Sequence, residues 1–267
     1  MINLSLGTPA WHTQDDPLSQ AVNQLSAKTG ALFGIAAGNS GNSPYSVSAP
    51  GTADAALTVG TVNASDQLAE FSSAGPRMND GGEGCHRSDS GTSMAAPHVA
   101  GAAVLLAQEH REWTGQQIKD ALLSTSVLTS AYSPYQAGTG RPNVAAAYFR
   151  GQVIATGSAD AGLVPWSSGR QREPVKRQIT HTNTTDRPVT SHLSADRGAS
   201  PAGVFTVSAD DVTEPAHGTV TVGIVVNPEG LVPGQYAARS PQALRAVRCT
   251  RLWECPWNPR STTSPPN

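Results

Sequence analysis

The segment Ser90-Gly91-Thr92-Ser93-Met94-Ala95-Ala96-Pro97-His98-Val99-Ala100-Gly101 gathers small residues, hydroxyls, one imidazole and a proline where a helix should begin. Gly91 and Thr92 permit a tight turn into that helix, so the Ser93 hydroxyl falls in its first turn. Backbone N–H groups there are unpaired and the macrodipole is positive, which suits chemistry in which an oxyanion develops. Pro97 is expected within the first turn, where it is tolerated, and Ala95, Ala96, Ala100 and Gly101 allow neighbouring backbone to come close. The twelve residues alone fit a capped core helix with an incidental serine equally well. A second stretch, Ile35-Ala36-Ala37-Gly38-Asn39-Ser40-Gly41, separates the two readings. It ends a buried strand with glycines around Asn39, which sets a carboxamide donor beyond the strand's carboxyl end, where open α/β sheets bind ligands.

The elements that must hold these residues come from residues 1–150, where short apolar runs alternate with helical patterns in the manner of βαβ units on a mostly parallel sheet. Ile2 to Leu6, Ala31 to Ala37 and Ala56 to Val62 read as buried strands. Leu18, Val22 and Leu25 recur at helical spacing, so Pro17 to Lys28 reads as a crossover helix. Ala95 to Gln108 is apolar all round and is expected to run through the core, packed on every side. Thr114 and Gln117 form a capping box ahead of Ile118, Ala121, Leu122 and Leu123. Gly138 and Gly140 close this α/β part. From residue 152 the texture changes to short strands (Val175 to Thr182, Val189 to Leu193, Val204 to Val207, Thr219 to Val226) between Asn, Asp, Pro and Gly turns, predicting a small antiparallel β-sandwich over residues 152–238. Residues 239–267 lack periodicity and are expected to have little order.

Composition narrows the function classes. The net charge is −2 with a pI near 6.4, charged residues are 14% and no Lys/Arg run is present, so nucleic-acid binding is set aside. Met1 to Gly7 has neither a basic leader nor a long apolar core, so it reads as neither signal peptide nor membrane span. The three cysteines, Cys85, Cys249 and Cys255, make no C-x-x-C pattern, which argues against a zinc or redox site. His98 follows Ser93 by more than a helical turn and reads as structural. His12, His86 and His110 read as solvated surface, and Asp15 and Asp16 as loop or helix-start charges.

With those residues named, the chain resembles the subtilisin-like serine proteases (subtilases). "SGTSMAAPHVAG" is similar to their nucleophile segment and "AAGNSG" to their oxyanion segment, while "INLSLG" and "GTGRPNVAAA" are similar to further family blocks in the same order. The resemblance covers roughly residues 1–150. It implies a partial subtilisin-like α/β fold, with helices on both faces of a mostly parallel sheet, and a serine endopeptidase acting by acyl transfer on protein or peptide substrates. Ser93 would be the nucleophile, with the Asn39 side chain and the Ser93 N–H as oxyanion donors. Ser5, Leu6 and Gly7 would form one wall of the pocket for the side chain preceding the cleaved bond, and Ala36, Ala37 and Gly38 the other. No cofactor is implied, and no carboxylate cluster is assigned to a metal such as the calcium common among relatives. The full-length family member would be extracellular; oligomeric state and natural partners are not fixed by the sequence.

The chain departs from the family in two respects. Subtilases present their triad in the order Asp, His, Ser, yet neither a D-T/S-G nor an H-G-T-H-V-A-G block stands in this sequence. The product as written is therefore expected to be proteolytically dead or nearly so, the alternative being a non-catalytic peptide-binding fragment or a gene remnant. Between Pro76 and Ser90 the connection has no apolar run, so a core strand is expected to be missing. Residues 77–89 and 239–267 read as frameshifted or degraded sequence, and Met1 as an internal start. The strand pattern around Ile179 to Val189 and Pro215 to Val222 is similar to immunoglobulin- or fibronectin-like modules appended to secreted subtilases, read as a structural prop. Asn183-Thr184-Thr185 matches a glycosylation acceptor, meaningful only in an exporting eukaryotic context.

Overall fold

The computed structural model describes residues 1–8, 15–76, 85–86, 91–129, 131–150, 153–163, 173–196, 198, 200–240 and 245–251. Ile2–Leu4 (β1), Phe33–Ala36 (β2), Leu57–Gly60 (β3) and Cys85–His86 (β4) form one parallel sheet in that order. Ile2 lies beside Phe33, Leu4 beside Ile35 and Ala36 beside Val59. β2 and β3 are buried at every position, as strands of a parallel sheet covered on both faces should be. The strand expected to be missing before Ser90 is present in two-residue form, with β4 pairing to Val59 and Gly60. Its ladder needs backbone groups alone, so no apolar run announces it.

Helix α1 (Pro17–Thr29) crosses from β1 to β2. The Asp16 carboxylate caps it by accepting from the N–H groups of Leu18 (2.9 Å) and Ser19 (3.4 Å). Val22 packs with Phe33, Ile35, Ala53 and Ala56. Leu18 and Leu25, expected on the same face, are half exposed, because α1 meets the core through Val22 and Ser19 only.

Helix α2 (Thr92–Glu109) lies across the sheet, burying Ala95, Ala96, Val99, Ala102, Ala103 and Leu106 with Ala36, Leu57 and Val59. The expectation of packing on every side is corrected: Met94, Val104 and Leu105 are 47%, 52% and 50% exposed. Apolarity states what a helix can bury, whereas cover depends on which neighbours reach it, and none of the described residues covers this stripe. Pro97 is the sixth residue of α2 and so lies past the first turn. Its missing N–H leaves the Ser93 carbonyl without its helical donor. Helix α3 (Gly115–Ser124) begins with the expected capping box, Thr114 N–H donating to Gln117 Oε1 at 2.8 Å and Gln117 N–H to Thr114 Oγ1 at 3.3 Å. Two helices that the sequence reading lacked, α4 (Pro134–Ala137) and α5 (Val144–Arg150), stand on either side of Gly138 and Gly140.

The remaining strands form three antiparallel or mixed sheets. β5 (Val153–Ala155), β7 (Val175–Asn183), β11 (Thr219–Val226) and β9 (Phe205–Val207) pair antiparallel in that order. β12 (Gly234–Ser240), β13 (Arg245–Arg251) and β6 (Ser158–Leu163) make a second sheet, with β13 parallel to β6. β8 (Val189–His192) pairs with β10 (Asp211–Glu214). The four strands read from alternation are β7, β8, β9 and β11. β13 lies in the stretch expected to have little order, and residues 252–267, with Cys255, lie outside the described residues. Between the sheets Ile179, Phe205, Ile224, Val226 and Tyr236 form a core. A fully buried pair, His181 and Glu214, joins β7 to β10 at 2.8 Å, and Ser191 of β8 donates to the other carboxylate oxygen at 3.1 Å. A buried carboxylate is tolerable because its oxygens are hydrogen-bonded in this way.

These sheets rest on the α/β part through hydrogen bonds. Ser124 Oγ donates to the Ala155 carbonyl (3.0 Å), Gly157 N–H donates to Asp120 (3.0 Å) and the Tyr135 hydroxyl donates to the Tyr236 carbonyl (3.1 Å). Among the described residues no helix is long and apolar enough to cross a membrane.

Candidate active site

β2 carries Ala36 and Ala37 to the carboxyl edge of the sheet, where both are buried. Their backbone is fixed on two sides, Ala37 N–H donating to the Val59 carbonyl and the Ala37 carbonyl accepting from Ser48 N–H, both at 2.8 Å. The chain then turns at Gly38, with φ at 106°, a conformation that favours glycine. Asn39 consequently stands past the strand end, beside the first turn of α2.

Thr92 brings the two segments together. Its N–H (2.9 Å) and hydroxyl (3.0 Å) both donate to Asn39 Oδ1, and its Oγ1 accepts from Gly38 N–H at 3.1 Å. With Oδ1 held by two donors, the free end of the carboxamide is Nδ2, and no described residue accepts from it. A side chain at Gly91 would begin 3.6 Å from Asn39 Nδ2 and 3.9 Å from Ser93 N. Asn39 Nδ2 and Ser93 N thus lie on the same side of Gly91, close to one another. Ser93 is half buried, and its hydroxyl has no hydrogen-bond partner among the described residues. Sequence reasoning placed Asn39 and Ser93 together but missed Thr92, whose only signal was a hydroxyl next to the serine in a turn.

The loop bearing Asn39 is braced from below. Gly41 N–H donates to the Phe71 carbonyl (2.9 Å), Ser73 N–H to the Gly38 carbonyl (3.0 Å) and Ser40 N–H to Ser73 Oγ (3.1 Å). Gly75 N–H in turn donates to the Tyr135 carbonyl at 2.8 Å. Nearby, the Tyr45 hydroxyl is buried without a hydrogen bond of normal geometry; burial pushes its pKa up, and the Gln235 side chain acts in the opposite direction.

No described histidine is placed as a base for Ser93. His98 is exposed and its Nδ1 sits 2.8 Å from the Met94 carbonyl, one turn back on the same helix. His110 stacks on Trp113 with ring centroids 3.7 Å apart. His12 and the side chain of His86 lie outside the described residues. The three short histidine–carboxylate pairs that are described, His181–Glu214, His192–Asp211 and His217–Asp186, all belong to the β-strand region after residue 153. Ser5, Leu6 and Gly7 continue from β1 as exposed backbone, and Thr8 N–H donates to the Ala49 carbonyl at 2.9 Å.

A family model described as the subtilase family matches residues 1–153. Subtilisin amylosacchariticus from Bacillus subtilis subsp. amylosacchariticus is 38% identical over 159 residues, which are 55% of this chain and 40% of that protein. Subtilisin from Bacillus pumilus is 37% identical over 159 residues, 55% of this chain and 56% of that protein. The chain thus spans about half the length, or less, of these relatives. The crystal structure of tripeptidyl peptidase 2 (TPP II) shares its fold over 94% of this chain and 24% of that chain, with a TM-score of 0.55 and 21% identity.

Proposed function

The chain belongs to the subtilase family, and from that premise we propose that its corner of Ser93, Asn39 and Thr92 is the acyl-transfer half of a serine endopeptidase site. Ser93 Oγ attacks the carbonyl carbon of a peptide bond, and the oxygen that becomes negative takes hydrogen bonds from Asn39 Nδ2 and Ser93 N–H. Thr92 is a positioning residue, since it sets which end of the Asn39 amide faces the reacting oxygen. Ser5, Leu6 and Gly7 and the opposite Ala36, Ala37 and Gly38 form the walls that receive extended substrate. The observation that carries this reading is that Thr92, next to Ser93, holds Asn39 Oδ1 with two hydrogen bonds and leaves Nδ2 without an acceptor among the described residues.

Among the described residues no side chain is placed to act as the base for Ser93. A serine hydroxyl without one is a weak nucleophile at neutral pH, so these 267 residues alone are a binding and oxyanion site with residual reactivity, far below that of an intact triad. The protein would be exported and would take protein or peptide substrates.

Reaction with a fluorophosphonate tests this. Ser93 Oγ attacks phosphorus, fluoride leaves and the hydroxyl proton passes to solvent. Slow labelling confined to Ser93, and absent from Ser93→Ala, is the expected result in peptide mass spectrometry. Labelling spread over other serines, with Ser93 untouched, would remove the enzymatic reading. A peptide-binding role alone would show as peptide affinity unchanged in Ser93→Ala with no turnover.

A further inference from the structure

The loop that carries Asn39 is held by a strap, residues 68–75, and the strap is held in turn by two tyrosines. On the loop side, Gly41 N–H donates to the Phe71 carbonyl (2.9 Å) and Ser73 N–H to the Gly38 carbonyl (3.0 Å). Ala74 N–H donates to Ser46 Oγ at 2.9 Å, and that hydroxyl donates to the Gly41 carbonyl at 2.6 Å. Asn39 therefore sits between anchored points on both sides, and a shift of the strap moves it.

Behind the strap, Tyr132 and Tyr135 are used in opposite senses. The Tyr132 hydroxyl accepts from Leu68 N–H at 2.9 Å, while its carbonyl accepts from Arg239 Nη2 at 2.7 Å. The Tyr135 carbonyl accepts from Gly75 N–H at 2.8 Å, and its hydroxyl donates to the Tyr236 carbonyl at 3.1 Å. Each tyrosine thus has one group on an end of the strap and the other on β12. Tyr135 is 3% exposed, so loss of its hydroxyl would take a donor from the Tyr236 carbonyl away from water. β12 also comes close to the loop itself: burial raises the pKa of the Tyr45 hydroxyl, and the Gln235 side chain lowers it.

We propose that Tyr132 and Tyr135 transmit the position of β12 to Asn39, so that the β-strand region after residue 153 helps to set the oxyanion donor and is not a prop alone. This rests on the reading of Ser93 as nucleophile and Asn39 as the donor beside it. Tyr135 is a positioning residue, acting through Gly75, Ser73 and Gly38 on the loop that holds the carboxamide.

The test uses two variants of the whole chain. Tyr135→Phe keeps the buried ring and deletes one tie to β12, and Arg239→Gln cuts the tie made through Tyr132. Fluorophosphonate labelling of Ser93 should slow by about three- to thirtyfold in each, the range for a residue coupled to a distant site. In an Asn39→Ala background the same changes should add no more than about twofold, because residues that act through one group are not additive. Hydrogen exchange should quicken by about tenfold in the peptide covering residues 38–48 and stay unchanged in α3. Equal slowing with and without Asn39, or quicker exchange in α3 as well as in the loop, would mean general loosening and overturn the proposal, as would unchanged labelling in both variants. If the fluorophosphonate fails to modify Ser93 in the unaltered chain, the nucleophile reading falls by itself. Exchange then decides the tie: quickening confined to residues 38–48 upholds it, and no change there ends it.

Discussion

Replacing Asn39 by Ala should slow fluorophosphonate labelling of Ser93 by about 10²- to 10³-fold, a magnitude known for the loss of an oxyanion donor in subtilisin and carried over to this family member. The change deletes Nδ2, one of the two donors beside Gly91, and also the Oδ1 that accepts both the N–H and the hydroxyl of Thr92. The second loss makes the result separable into two parts. Thr92→Val keeps the Asn39 donor and the backbone N–H that holds Oδ1 but removes the hydroxyl bond to it, so it should cost less than Asn39→Ala and more than a surface change. Thermal melting of each variant separates loss of reactivity from loss of fold. Equal labelling rates for the unaltered chain and Asn39→Ala would mean that the carboxamide does not face the reacting oxygen.

The second large effect concerns the helix that carries Ser93. Leu106 is fully buried against the sheet, whereas its neighbour Leu105 is 50% exposed on the uncovered side of α2. Leu106→Ala should therefore destabilise the chain by about 2 to 5 kcal/mol, the transfer and cavity cost of an emptied core site. Leu105→Ala should stay within about 0.5 kcal/mol. Urea unfolding of the two variants decides. A large cost at Leu105 would show that something in solution covers that stripe, such as a second copy of the chain.

Those two leucines also show what the sequence could and could not convey. The helix and the capping box of the next one were readable because apolar spacing and cap residues are local signals. The side left open was not, since periodicity is blind to which elements arrive to cover a face. Asn39 was readable because glycines isolate it at a strand end, and Ser93 because small residues crowd a helix start. Thr92 was missed because a hydroxyl residue in a turn has no periodic signature, and its role arises only when segments about 50 residues apart meet. β4 and β13 were missed because their ladders depend on backbone pairing and not on apolar alternation. The His181–Glu214 pair was equally silent, as a histidine and a glutamate 33 residues apart carry no mark of being buried together.

The central proposal is that Ser93 faces an oxyanion site with no base beside it among the described residues. Its most direct measurement is the rate of Ser93 labelling by a fluorophosphonate as a function of pH in the purified chain. A hydroxyl deprotonated only by solvent hydroxide should react faster by about tenfold per pH unit, with no plateau across the range in which histidine titrates, about pH 5 to 8. A curve that levels off through an inflection near pH 7 would place an imidazole against Ser93 and contradict the account.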